Sequence, residues 1–350
     1  MMSANQFLIE SQVRHQIFLL RRGGGMVKDL VPALQEILRS VAGQIATTPD
    51  AQLRQRAVIQ EIEAFLLASV SEWSDEVLQE SLELAAYEAG FQERLLIGVA
   101  TVDFAAPAAV QLAQAVTFNP TIDDVNSGQS ISIKQALDQF DSKKSAQMMQ
   151  VIRDGIVGQK TNSQISKDLL DLAPGLGNQA DALIRTSAIS AANEAKTEFY
   201  RTNAEFLQGE RFLATLDSRT TLICSGFDGK VYPVGSGPIP PLHWNCRSLR
   251  TPVLREDLQI PGFEGERPEV GADGPGTTSS RTTFNSFLKK QPASFQKEYF
   301  SKFPDGDERY KLFSQGSLSI GKFTDARGAT LTLDELRALE PLAFERAGLD

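Results

Sequence analysis

The stretch DALIRTSAISAANEAKTEFYRTNAEFLQGERFLATL, residues 181–216, decides the fold. Ile184, Ala188, Ala191, Ala195 and Phe199 recur at three- and four-residue spacing, the mark of a helix from Asp181 to about Phe206 with one apolar stripe. The alanines on that stripe are small enough to let another element come close. The period then changes. Arg211-Phe212-Leu213-Ala214-Thr215-Leu216 reads as a strand, and Phe227-Asp228-Gly229-Lys230-Val231-Tyr232 as a hairpin turn between two strands, with Asp-Gly supplying the positive φ of a tight turn. A long helix running into short strands predicts an α+β chain that is mainly α. It has a helical N-terminal region, a small module of short antiparallel strands, and a C-terminal helical tail.

Upstream the pattern is helical as far as about Ala115. Leu53, Ala57, Gln60/Glu61, Ala64 and Leu67/Ala68 mark a face, and Ser74 is placed as the N-cap of a second helix through Val77, Leu78, Leu82, Leu84, Ala85 and Phe91. Gly23-Gly24-Gly25 reads as a flexible joint, since no Gly-Lys-Ser/Thr follows to make a phosphate cradle. Residues 117–132, including Asn126-Ser127-Gly128, read as a loop. Helices resume over Lys134–Phe140 and Ser145–Ile156. Thr161-Asn162-Ser163-Gln164 has the form of a capping box opening a helix to about Leu172, and Ala173-Pro174-Gly175-Leu176-Gly177 reads as its stop.

Downstream, Pro233 to Pro241 reads as an extended loop. The Gly-, Pro- and Thr-rich run 261–280 reads as a linker or surface strap, with little to bury. The tail regains globular character through Phe284, Phe287, Phe295, Tyr299, Phe300, Phe303 and Phe313. Its aromatics are assigned to a small core in preference to stacking on single-stranded DNA. Thr332-Leu333-Asp334-Glu335 opens the final helix with a capping box. The expected organisation is an acidic helical region over 1–130, helices plus a strand/loop module over 131–260, a linker over 261–280 and a C-terminal extension over 281–350.

The 350 residues carry a net charge of −9, and residues 1–130 hold 8 basic and 16 acidic side chains. Broad electrostatic wrapping of nucleic acid needs clustered Lys and Arg, so this balance argues against it. No apolar run approaches the roughly 18 residues that span a bilayer, and the first twenty lack a secretory apolar stretch. The expectation is therefore synthesis in the cytosol with no membrane partner.

Two cysteines, Cys224 and Cys246, and two histidines, His15 and His243, limit thiol and imidazole chemistry to few positions. His243-x-x-Cys246 can set an imidazole and a thiolate on one ion, with Cys224 as a third ligand and Asp217 or Asp228 completing a tetrahedron. The alternative is that both thiols pack as small apolar groups and His243 simply packs beside Trp244. A Cys–His nucleophilic pair would also need an orienting group and an oxyanion hole.

Residues 184–253 resemble the phage Mu F-like family of head morphogenesis proteins, the minor head proteins of tailed phages. The features that carry the resemblance are Ile184-Arg185-Thr186 with Ala191-Ala192-Asn193, then Asp217-Ser218-Arg219-Thr220, Cys224, Asp228-Gly229-Lys230-Val231, and Pro240-Pro241-Leu242-His243-x-Asn245-Cys246-Arg247. Thr221 stands where many members have the first cysteine of a Cys-x-x-Cys, and Ser248 where many have the last of a Cys-Arg-Cys. Any metal site implied by the fuller pattern keeps only Cys224, His243 and Cys246. This favours a hydrogen-bonded knot in which Asp217 and Arg219 tie the strand to the 243–247 loop. Asp217, Arg219, Asp228, Gly229 and Arg247 are its structural residues, with Arg219 and Arg247 alternatively plain surface groups.

The resemblance implies a non-enzymatic minor head protein without a catalytic residue. Its expected partners are the portal protein and the major capsid or scaffolding proteins, and possible contact with packaged DNA goes with that role. Its expected place is the capsid interior or portal region of the virion, and the host cytoplasm during assembly. Two other readings remain: a zinc-dependent hydrolase using Cys224, His243 and Cys246, and a delivered, DNA-associated effector.

Overall fold

The computed structural model describes residues 4–124, 129–262 and 265–349. Helices dominate, and the strands are short, giving the α+β, mainly α architecture expected. The helices of the first half are α1 (Ala4–Thr47), α2 (Asp50–Leu53), α3 (Arg56–Ile97) and α4 (Ala109–Phe118). A two-stranded hairpin, β1 (Ile122–Asp124) and β2 (Gln129–Ile131), leads to α5 (Ile133–Val157), α6 (Asn162–Leu170) and α7 (Ala173–Thr202). Asn126-Ser127-Gly128, expected as loop, lies outside the described residues.

At 44 residues α1 is about 66 Å long, and α3 at 42 residues nearly matches it. Both pack on α7. Gly23-Gly24-Gly25 is not a joint: it lies inside α1. The reason is tertiary. A Cβ on Gly23 would stand 3.4 Å from Ala188 Cβ, so the glycine gives α7 its close approach. Burial of Leu19, Met26, Leu30, Leu34 and Leu38 on the same helix offsets the roughly 1 kcal/mol that each helical glycine costs.

The face assigned to α3 is also corrected. Ala57, Gln60, Glu61, Ala64, Leu67 and Ala68 are exposed, and the buried stripe is Ile62, Leu66, Val70, Trp73 and Val77. Trp73 sets this orientation, because its indole N–H donates to the Leu30 carbonyl at 2.7 Å across the helix pair. Ser74 is consequently no N-cap. It is buried within α3, and its hydroxyl donates to the Asp141 carboxylate on α5.

The helices expected on either side of residue 142 are one helix, α5, capped by Ser132 and Gln135. The Thr161–Gln164 capping box opens α6 as expected. The helix ends ahead of the Pro-Gly run as expected, but the run itself opens the next helix, which was expected only from Asp181. α6 stops at Leu170, and Pro174 occupies the first turn of α7, where its missing N–H costs nothing.

From residue 186 to residue 200 every side chain of α7 is buried, the polar ones included. Its apolar neighbours belong to a single core that runs from Leu19 to Ala195, so the expected boundary at residue 130 divides nothing.

Beyond α7 come β3 (Leu207–Leu213), β4 (Leu216–Asp217), α8 (Leu222–Phe227), β5 (Val231–Tyr232) and β6 (Leu249–Leu254). β5, β3 and β6 form an antiparallel sheet, with Leu213 opposite Leu249. The turn at Asp228-Gly229 joins α8 to β5 rather than two strands, and Gly229 has φ +84°.

The run 261–280 is not a linker. β7 (Glu266–Gly271) and β8 (Gly274–Ser279) form a hairpin, and β7 lies parallel to β4. That pair is a parallel exception to the antiparallel strands expected. Backbone hydrogen bonding, with Arg267 buried beneath, holds a sequence that has few apolar residues to offer.

The tail folds as α9 (Phe284–Lys290), α10 (Ala293–Phe300), α11 (Gly306–Ser314), α12 (Leu333–Leu339) and α13 (Pro341–Ala347). Thr332 caps α12 as expected, although one more helix follows. The aromatics do form a core, and Leu216 and Leu222 belong to it, which fastens the tail to the central module.

Two predictions follow from this packing. A Cβ added at Gly25 meets nothing within 4 Å, so Gly25→Ala should stabilise the chain by about 0.5–1 kcal/mol, read as a higher melting temperature. A fall would restore the hinge. The second concerns Asp141. Burial, only partly offset by the Ser74 hydroxyl, raises its carboxyl from 3.8 to about 6. A raised folded-state value favours the protonated fold, so its contribution is full below about 3.8 and is lost as pH rises through about 6. Solvent reaches the group, so about 1 kcal/mol is the expected size. Asp141→Asn should therefore gain about that much in denaturant melts at pH 7.5 and nothing at pH 4.

Candidate metal centre and its supporting ion pairs

The sequence leads into the centre along α8. Thr221 caps this short helix, its hydroxyl accepting from the Cys224 N–H at 3.4 Å, and Cys224 follows in the first turn, buried. The chain then leaves through β5 and the proline loop and returns by a tight turn. There the Cys246 N–H donates to the His243 carbonyl at 3.1 Å. Asn245 takes the left-handed φ of +60°, and its N–H donates to Thr186 Oγ1 on α7 at 3.0 Å, which pins the turn.

Sγ of Cys224 lies 3.7 Å from Sγ of Cys246 and 3.3 Å from Nε2 of His243. The three donor atoms fall within 4.8 Å of one another, so the group can hold a metal ion. The separations fit a tetrahedral ion. Two thiolates about 2.3 Å from one zinc stand about 3.8 Å apart, and a thiolate and an imidazole nitrogen about 3.6 Å apart.

The imidazole is also correctly presented. Its Nδ1 is 3.0 Å from the Trp244 carbonyl, which can only accept, so Nδ1 carries a proton. In the neutral ring Nε2 is then the lone-pair nitrogen facing the sulfurs, the orientation a ligating histidine needs. A cavity of about 30 Å³ adjoins the group, room for one ion or one water.

Electrostatics separate the two thiols. The Cys224 thiol donates to Cys246, and with burial this raises Cys224 well above the usual thiol value. The same bond, with His243 beside it, lowers Cys246 well below. Burial opposes the charging of His243, but the Cys246 thiolate outweighs it and raises the imidazole. The two thiols are therefore unequal, and Cys246 is the one that gives up its proton more readily. Thr221 and Ser248, the two hydroxyls at thiol positions of the fuller motif, both face it: Thr221 Oγ1 is 3.2 Å from His243 Nε2, and Ser248 hydrogen-bonds Cys224.

Neither carboxylate considered as a fourth ligand or base is free. Asp217 is held by Arg247 in a two-pronged pair, at 2.5 and 2.9 Å, and also accepts from the Arg219 N–H at 2.9 Å. Burial would raise Asp217, but the Arg247 guanidinium more than compensates and holds it below the usual carboxylate value. Arg219 contributes mainly its backbone: its guanidinium is 76% exposed and 3.5 Å from the carboxylate. The expected tie between strand and loop is therefore made by Arg247.

Asp228 is more fully engaged. One oxygen accepts from the Ala214 N–H (2.7 Å) and Arg267 Nη2 (2.6 Å), the other from Arg267 Nη1 (3.1 Å) and the Phe284 N–H (2.7 Å). Gly229 makes the turn possible where a Cβ would come within 3.1 Å of Thr283.

The sequence carries no signal for Arg267, which lies in the run read as a linker. It also missed a buried polar cluster under α7. There Glu88 accepts from His15 at 2.6 Å and Gln92 at 2.5 Å and lies 3.7 Å from Lys196, while Tyr200 donates to Gln92. Burial raises Glu88, but Lys196, His15 and Gln92 together bring it below the ordinary value. Arg250 and Glu210 form a second buried pair, 3.1 Å apart. The packing of α1 and α3 on α7 assembles the Glu88 cluster, and the pairing of β3 with β6 brings Glu210 to Arg250.

The chain matches no protein-family description, no curated protein and no solved structure.

Removing the Asp228 carboxylate leaves the Arg267 guanidinium buried without its counter-charge. Asp228→Ala should cost about 3–5 kcal/mol in denaturant melts. Asp228→Leu combined with Arg267→Met should recover much of that loss.

Proposed function

We propose that the chain is a structural minor head protein acting in phage head morphogenesis, placed with the portal and the procapsid interior and meeting the portal, major capsid or scaffolding proteins there. The proposal starts from the Mu F-like resemblance. It is supported most by one observation: both carboxylates of the resembling motif are anchors. Asp217 is saturated by Arg247 and Asp228 by Arg267, and neither is left as a free base beside the Cys224/His243/Cys246 group. Carboxylates turned inward onto arginines serve rigidity, and rigidity is what a component seated in a large shell requires. It favours an assembly role over the zinc-dependent hydrolase.

We assign zinc to the Cys224/His243/Cys246 group, in a role that fixes α8 to the 243–247 turn. Ligand type and the 3.7 Å sulfur separation both suit that ion.

Co-expression with portal and capsid proteins, followed by sedimentation of procapsids, tests the assembly reading. The chain should sediment with portal-containing particles in few copies and remain at the top of the gradient without portal. Free chain under both conditions would overturn the assembly role. Elemental analysis of the same purified chain should find about one zinc, lost on His243→Ala. Its absence would remove zinc alone.

A further inference from the structure

Trp244 is an unusual residue for a protein of this composition. There are two tryptophans, and Trp73 behaves as expected: it is 3% exposed, with its indole N–H hydrogen-bonded to a backbone carbonyl. Trp244 is 45% exposed. It is not on a loose loop. Asn245 beside it is fixed to Thr186 of α7, its own carbonyl accepts from His243, and Cys246 closes the turn. The backbone holds a large apolar ring out in solvent, although burial is the favourable place for it.

The ring forms a wall between two hollows. On one side is a groove of about 740 Å³ with Arg185, Arg219 and Arg247 on its lining. On the other is a hollow of about 330 Å³ bearing Lys143 and Lys144. Asp181, paired with Arg185 at 3.0 Å, is the one acidic side chain among the described residues lining either. Five cations and one carboxylate thus surround one indole in a chain whose net charge is −9. Arg247 has already met Asp217, but Arg219 is exposed and only weakly engaged, and Lys143 is exposed. These two are available to an anion. The sequence-wide charge balance hides this local reversal, because the acidity is concentrated in residues 1–130.

A planar ring flanked on both sides by cations is the arrangement that receives an unstacked base with its phosphates on either side. A duplex presents its phosphates but keeps its bases stacked inside, out of reach of the indole. An inorganic polyanion has nothing to stack. From this arrangement we infer that the surface centred on Trp244, with Arg185, Arg219 and Lys143 around it, binds single-stranded nucleic acid. The inference is independent of the assembly role and of zinc.

Trp244 supplies its own probe, since Trp73 is out of contact with solvent. The full-length chain, kept reduced, is titrated with a twenty-residue oligothymidylate, following tryptophan fluorescence and the anisotropy of a labelled strand. Quenching should be saturable. With two or three phosphates neutralised, affinity should fall roughly 7- to 20-fold between 50 and 200 mM salt. Trp244→Ala should weaken binding roughly tenfold or more, and Trp244→Phe should restore much of it. Arg219→Ala and Lys143→Ala should each weaken binding and flatten the salt dependence. These three positions are exposed, so melting temperatures should hold. Three results would overturn the inference: no binding at 50 mM salt, binding indifferent to Trp244→Ala, or equal binding of a twenty-base-pair duplex or of inorganic polyphosphate at matched charge.

Discussion

Fifteen consecutive residues of α7, 186–200, have no access to solvent, and the rest of the molecule is arranged around that constraint. A helix buried on all sides cannot leave a polar group unpartnered without a penalty of a few kcal/mol. α7 carries Thr186, Glu194, Lys196 and Glu198 within this span. Each therefore dictates what lies next to it. Asn119 and Gln111 of the α4 region reach Glu194 and Glu198, Glu88 of α3 meets Lys196, and Thr186 takes the backbone of the 243–247 turn. The position of the candidate metal centre follows from this last contact. The turn that carries His243 and Cys246 is seated on the same helix that organises the N-terminal core.

Burial outweighs pairing at several of these sites, and the cost falls on both partners. Burial raises the Glu210 carboxyl despite Arg250, and burial lowers Arg250 despite Glu210. Such a pair is not a source of much net stability. Its value is selectivity, because any alternative packing that separates the charges leaves two of them stranded. Asp217 with Arg247 and Asp228 with Arg267 bring the same selectivity to the segments that carry the Cys/His group, although at Asp217 the arginine outweighs burial.

Much of this could be read from the sequence where a local rule operates. The capping boxes at Thr161 and Thr332 state their own geometry, and the change of period near residue 207 marks the passage from α7 to β3. The approach of Cys224 to His243 and Cys246 was legible because the His-x-x-Cys spacing is itself chelating. Errors arose where tertiary contacts override propensity. Three glycines inside α1 look like a hinge until Ala188 is placed against Gly23 and Arg185 against Gly24. Residues 266–279 look like a linker because backbone pairing, not apolar side chains, makes their hairpin. On α7 the alanine stripe was visible, but the pattern cannot reveal that the opposite face is buried as well. The Glu88 cluster was invisible for the related reason that its members are far apart in sequence.

The Asp228 carboxylate accepts from residues 214, 267 and 284, which belong to a strand end, a hairpin and the first helix of the tail. One side chain therefore acts as the junction of three chain segments, and the last 70 residues are a fitted part of the central module. A stop codon between Leu254 and Arg267 would do more than shorten the protein. It would expose Leu216, Leu222 and the inner face of α8, and would strip the junction of the guanidinium that neutralises it. The shortened product would carry an apolar face that the tail normally covers and a carboxylate without its counter-charge.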